Sequence, residues 1–291
     1  MRALRLALVP AAALTVMPVT ADATAPAQQE RIVIAQFVDR AVDYVRAYQA
    51  ELTSVVAEER YTQEIRAQVP SVKGPRERTL TSEVFFMFVP GHAWMAIRDV
   101  LRVDDEPVEN RFDVRKALDE LSPSEVSARL KAFNARFNVG RVVRNFNEPT
   151  FGLLVLDDRH RESFDFSRAR RQSGDDPSRV RLAFREARQP TIIRDLDGRP
   201  AYLTGVLTMD PASGRIDDIE ARVTVGPLDV TLRTEFEVDP RLDMAVPVRF
   251  TEHYTHGRAP RDGRVRGRHE EIVCEATYSN FKRFEVRAKV K

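Results

Sequence analysis

Between Ala201 and Val286 the chain alternates apolar and polar side chains with a period of two, interrupted only at turn residues. Successive side chains on a strand point to opposite faces, so this pattern demands strands with one dry face and one wet face. Leu228, Val230, Leu232, Phe236 and Val238 make one row, and Asp229, Thr231, Arg233, Glu235 and Glu237 make the other. The apolar row repeats on neighbouring segments at Leu203, Leu207 and Met209, and again at Ile219, Ala221, Val223 and Val225. Turn residues part them at Asp197-Gly198, Asp210-Pro211-Ala212-Ser213-Gly214, Gly226-Pro227 and Asp239-Pro240. The pattern predicts an antiparallel meander of amphipathic strands.

A sheet with one apolar face needs a cover. Residues 32–52 supply one, because Val33, Phe37, Ala41, Tyr44, Val45, Tyr48 and Leu52 recur at helical spacing. A helix of about 20 residues spans roughly 30 Å, enough to cross a sheet. Further strands are expected at 55–68, 79–89 and 94–103. The run from Val84 to Val89 is apolar on both sides, which predicts a strand covered on both faces. Residues 111–121 and 124–137 read as helices, the second starting at Ser122 as cap with Pro123 at the first helical position. A third short helix is expected at 149–156, capped by Asn147, and residues 170–179 read as a surface turn. The predicted fold class is therefore α+β: an N-terminal helix on a strongly curved antiparallel sheet of about nine to eleven strands, an incomplete barrel with a helical insertion at about 111–156.

The first 23 residues read as a secretory signal peptide, leaving 24–291 as a single domain. Arg2 and Arg5 precede an apolar stretch from Leu6 to Val16, too short to span a bilayer, and Ala21-Asp22-Ala23 offers a small-residue cleavage site. The expected location is the periplasm or the exterior. Cys274 is the one cysteine, so no internal disulfide can form and stability must come from the core. Lys plus Arg at 46 nearly cancel Asp plus Glu at 44, which leaves no global basic field to recruit nucleic acid.

No catalytic signature accompanies the meander. There is no Gly-x-Ser-x-Gly, no phosphate-binding glycine loop and no His-Glu-x-x-His. His253, His256 and His269 lie near one another with Cys274, Glu252 and Glu270, but residues three apart on a strand face opposite ways, so no metal site is expected. No cofactor is implied. The paired acids at Asp104-Asp105, Asp157-Asp158, Asp175-Asp176 and Asp217-Asp218 read as solvated turns. Glu58-Glu59 is the exception: a hydrolase reading needs one of them lining a cleft beside a histidine or an arginine. The arginine-rich loop 257–268 is either a solvated hairpin tip or an anion-binding finger. Cys274 falls on the inward row with Ile272, Ala276 and Tyr278, as a small core residue rather than a reactive thiol.

Glu252 is the odd member of an apolar row made by Val246, Val248, Phe250 and Tyr254. An inward carboxylate needs a partner or lies at the mouth of a cavity, and Arg266 or Arg268 of the neighbouring loop is the expected cation. The alternative is a bulge near His253 that turns Glu252 outward.

Several stretches resemble a family of exported bacterial proteins of unassigned activity: Val56-Ala57-Glu58-Glu59-Arg60-Tyr61, Pro90-Gly91 with Trp94 and Arg98-Asp99-Val100, Asn138-Val139-Gly140, Asn147-Glu148-Pro149-Thr150, Asp210-Pro211-Ala212-Ser213-Gly214-Arg215, Val246-Pro247-Val248, and Ala276-Thr277-Tyr278-Ser279-Asn280-Phe281 with Phe284. The order of helix, long meander, Asp-Pro-x-x-Gly turn and final Tyr-x-x-Phe strand is also similar to the LolA-like lipoprotein-carrier half-barrels. The helical insertion is longer than in those carriers. That resemblance implies an incomplete barrel holding acyl chains in an apolar hollow. The expected function is thus a periplasmic, non-catalytic carrier of a hydrophobic or lipid-like ligand, lined by Phe86, Phe88, Phe236, Phe250, Glu252 and Tyr278. The alternatives are an interaction module with a filled core, binding a protein partner through its surface or sheet edge, and a hydrolase.

Overall fold

The computed structural model describes residues 24–53, 55–68, 74–88, 94–142, 144, 148–257 and 269–283. The long helix α1 (Thr24–Leu52) is followed by β1 (Val55–Gln68), β2 (Glu77–Phe88), β3 (Trp94–Val103) and the two-residue β4 (Glu106–Pro107). Next come α2 (Val114–Glu120) and α3 (Pro123–Asn134), then short 3-10 turns at Ala135–Phe137, Phe151–Leu156 and Arg161–Ser163. Strands β5 (Phe164–Arg168), β6 (Val180–Glu186), β7 (Ile193–Arg194), β8 (Pro200–Ala201) and β9 (Thr204–Met209) lead into β10 (Ile216–Val225), β11 (Leu228–Asp239), β12 (Met244–His256) and β13 (Glu270–Arg283). Eleven strands form one open sheet in the order β4-β3-β2-β1-β13-β12-β11-β10-β9-β6-β5, and β7 and β8 make a separate two-stranded ribbon.

Every pairing in the large sheet is antiparallel. The meander expected after residue 201 is β9 to β13. It does not end at β13, which pairs in turn with β1, so the N-terminal hairpins extend the same sheet. The turns follow their sequence chemistry. Asp210 Oδ1 accepts from the backbone N–H groups of Ala212 and Ser213, both at 2.9 Å, and Gly214 takes φ +78°. Built on that φ, Gly214 lies against the backbone of Arg40 on α1, where an added Cβ would come within 2.2 Å of the Arg40 carbonyl oxygen.

One face of the sheet is buried under two covers. Helix α1 crosses from the β5 edge, where it meets that strand, to β2. Its buried stripe is Ile34, Val38, Ala41, Val42, Val45, Tyr48 and Leu52, while Phe37 and Tyr44 flank it half-buried and Val33 sits outside it. The second cover is the chain between α3 and β5. Gly152 packs on Ile219 of β10, and Thr234 of β11 donates its hydroxyl to the Pro149 carbonyl at 2.6 Å.

The apolar run in β2 is resolved by covers on both faces. Val84 and Phe86 belong to the core beneath α1, whereas Phe85 and Met87 join Val56 and Ile97 beneath Val114, Ala117, Val126 and Leu130 of α2 and α3. Ser122 caps α3 through a capping box with Glu125, as its sequence predicts. The third predicted helix is instead a 3-10 turn, Phe151–Leu156, and Thr150 stands at its cap position without a side-chain bond. Asn147 lies outside the described residues. Val238, expected on the inward row, is 46% exposed, and it lies beyond Glu235, the last β11 residue paired with β10.

Candidate functional site

Three places collect chemistry: a polar network inside the core, a groove between α1 and β5 at the sheet edge, and a charged groove of about 710 Å³ lined by Asp175, Arg181, Asp218, Glu220, Arg222 and Arg233.

The network grows from rows that alternate correctly but carry polar members. On β1 the inward row reads Val55, Ala57, Glu59, Tyr61, Gln63 and Ile65, all buried. On β12 it includes Phe250, Glu252 and Tyr254, and on β3 Ala96, Arg98 and Val100. No register shift falls between Arg249 and His256 against β13, so Glu252 keeps its inward place and the bulge alternative is excluded. It is fully buried rather than at a mouth. Its carboxylate accepts the Tyr61 hydroxyl at 2.5 Å and the Tyr254 hydroxyl at 3.1 Å. Burial raises its pKa, and the two hydroxyls with Arg144 and Arg98 work against that rise. The cations are therefore Arg144 and Arg98, from the second cover and β3. Arg266 and Arg268 lie outside the described residues.

Arg98 makes a forked ion pair with Glu59, its Nη2 donating at 2.6 Å, and its guanidinium stands 5.1 Å from the Tyr61 ring centroid. Arg144, buried at 4% exposure, donates to Gln63 Oε1 and to the Val139 carbonyl. Burial pushes the Cys274 thiol up to about 12, with Glu252 adding to the shift, so this cysteine is a packed apolar group as expected. The hydrolase condition is half met. Glu59 does stand beside an arginine, but the crevice reaching this network, between Tyr61, Arg98, Asn134 and Arg144, measures about 30 Å³, room for a water molecule or two. Glu58 is exposed and accepts from Asn280.

Of the predicted lining residues, Phe86, Phe236, Phe250, Glu252 and Tyr278 are buried and packed. Phe86 and Phe250 are each 1% exposed, Phe236 and Tyr278 each 6%. Phe86 meets Tyr278 edge-on at 6.0 Å, and Phe236 meets Tyr48 of α1 at 6.3 Å. Phe88 ends β2 opposite Trp94. Val246 is buried and Val248 half-buried. Among the described residues no group of three or more His, Cys, Asp or Glu side chains converges on a metal-sized space. His253 pairs with Glu271 at 2.9 Å on the outer face, and His92 lies outside the described residues with most of the arginine-rich loop. Two acid pairs depart from the solvated-turn reading: Asp157 is buried, held by Arg159 and by Gln49 of α1, and Asp217 and Asp218 lie half-buried within β10, paired with Arg179 and Arg233.

The groove runs between the N-terminal half of α1 and β5, with a volume of about 760 Å³. Ile34, Ala35 and Val38 form one wall, and Phe164 and Phe166, 6.4 Å apart, form the other. Arg31, Arg161 and Arg188 stand on its rim with Glu162 and Asp165. Arg161 bridges the groove to Asp39 of α1 at 2.7 Å, and Arg188 reaches Asp165 at 3.2 Å. None of these residues was singled out from the sequence. Ile34 and Val38 stand at the N-terminal end of the buried helical stripe, so the periodicity that marks the core face also runs through this wall.

No family model matches the chain, and no curated protein does. It is similar to a solved structure described as a putative outer membrane lipoprotein-sorting protein domain from Vibrio parahaemolyticus, with 9% identity and a TM-score of 0.41, covering 87% of this chain and 95% of that one. It is also similar to lipovitellin, from a structure titled for its lipid–protein interactions, with 6% identity and a TM-score of 0.28, over 82% of this chain and 26% of that one. At such identity, function is argued from the site itself. Among the described residues no helix is long and apolar enough to cross a membrane.

Proposed function

We propose that this protein binds a ligand with an apolar chain, without converting it, and holds the chain in the groove between α1 and β5. The observation that carries the proposal is the groove's combination of size and lining. Its volume of about 760 Å³ falls inside the range of roughly 300–1,000 Å³ that small-molecule sites occupy, and it sets the apolar side chains of Ile34, Ala35, Val38, Phe164 and Phe166 among polar and charged ones. The leader-like first 23 residues support placing this binding in the periplasm, where a carrier for lipid-like molecules has work to do.

Titration with a fluorescent long-chain fatty acid tests it. The expected result is saturable uptake, lost in Ala35→Trp, which fills the groove from an exposed position without entering the core. Saturable uptake unchanged in Ala35→Trp would move the chain elsewhere. A second reading, an interaction module with a filled core, is favoured by the close burial of Phe86, Phe236, Phe250, Glu252 and Tyr278. It expects no uptake of any probe.

A further inference from the structure

We infer that the groove selects single-chain amphiphiles with an anionic headgroup, a carboxylate or a phosphate, and that Arg31 is the residue that reads the charge. The inference rests on the chain-binding reading above and adds the head to it.

The lining carries three arginines against two carboxylates, and both carboxylates are already engaged. Asp165 pairs with Arg185 at 3.1 Å and Arg188 at 3.2 Å, and Glu162 with Arg161 at 3.6 Å. Arg161 is committed further to Asp39. Arg31 makes no hydrogen bond or ion pair among the described residues, although it lies one helical turn before Ile34 and Ala35. Among the described residues its charge is thus unpaired at the groove's rim, one helical turn from the apolar wall. A guanidinium offers a planar fork of donors that matches the oxygens of a carboxylate or a phosphate, and a cationic head would meet only repulsion from it. An alkyl chain along Ile34, Val38, Phe164 and Phe166 brings its head to this rim.

The test compares four probes of one chain length: the fatty acid, the alkyl phosphate, the fatty acid methyl ester and the alkyl trimethylammonium. Binding of each is measured in the full mature chain and in Arg31→Gln at low and at high salt. The acid and the phosphate are expected to bind more tightly than the ester, and the ammonium more weakly. Arg31→Gln is expected to weaken the two anions by roughly threefold to fivefold, as an exposed charge pair allows, and to leave the ester unchanged. High salt should erase the anions' advantage. The ratio of acid to phosphate says which anion the rim fits. Equal binding of all four heads overturns the headgroup assignment while the chain-binding reading stands, and so does a loss in Arg31→Gln that includes the ester. Binding of none overturns both.

Discussion

At the scale of single residues, the network behind β1, β3 and β12 holds two carboxylates, Glu59 and Glu252, and two guanidiniums, Arg98 and Arg144, that a purely apolar interior would not need. Removing one partner of a buried pair strands the other charge, at a cost of about 3–5 kcal/mol. Arg98→Met should therefore lower the free energy of urea unfolding by that order, because Glu59 is left buried without its cation. The double replacement Glu59→Leu, Arg98→Met should recover most of the loss, and a double variant as unstable as the single one would contradict the pairing. Glu252 makes a prediction about pH. Burial raises its folded pKa above the unfolded value, so the native state holds this proton more tightly than the unfolded chain does. Its contribution to stability is full below the unfolded pKa and declines as pH rises through the window up to the folded pKa. Glu252→Gln removes that decline, so its stability should fall less than the parent's between mildly acidic and neutral pH. Parallel stability–pH curves for the two proteins would exclude a buried, titrating Glu252. The sequence announced Glu252 as an odd polar member of an apolar row. Glu59, Tyr61, Gln63 and Arg98 are odd members of equally regular rows, and the same test applied to β1 and β3 would have found them.

At the scale of elements, α1 is fixed by what it crosses. Gly214 shows how closely, since its φ of +78° and the Arg40 backbone beside it leave no room for a side chain. Gly214→Ala combines a left-handed backbone with a backbone collision, and should destabilise by about 1–3 kcal/mol while loosening α1. Amide exchange should quicken at Ala41 and Val42 ahead of the meander strands, and uniform exchange rates across both would contradict the docking. Ser122→Ala removes a capping box and should cost about 1 kcal/mol, read from thermal unfolding. Periodicity made these elements legible: β1 and β3 start and end where their alternation does, and the both-sided run Val84 to Met87 announced its two covers. The 3-10 turn Phe151–Leu156 was less legible. It is held by Ile219 and Thr234, residues some seventy positions away or more, and no local pattern encodes those contacts. Arg144 escaped for the same reason, because it lies in irregular chain between two covers.

At the scale of the whole molecule, an N-terminal helix lies on an open eleven-stranded antiparallel sheet and packs against the sheet's last strand, β5. The α1–β5 groove lies at this edge, where Ile34 and Val38 of the helix stripe and Phe164 and Phe166 of β5 line it. The pairing of β13 with β1, which joins the two halves of the sheet, links segments more than two hundred residues apart and has no local signature. The central claim is that an apolar chain lodges in this groove and not within the sheet's covered face. Methyl-resolved NMR during titration with a fatty acid measures this directly. The account predicts shifts at Ile34 and Val38 with none at Val230 and Ile272, whereas shifts at Val230 and Ile272, or no shifts at all, would contradict it.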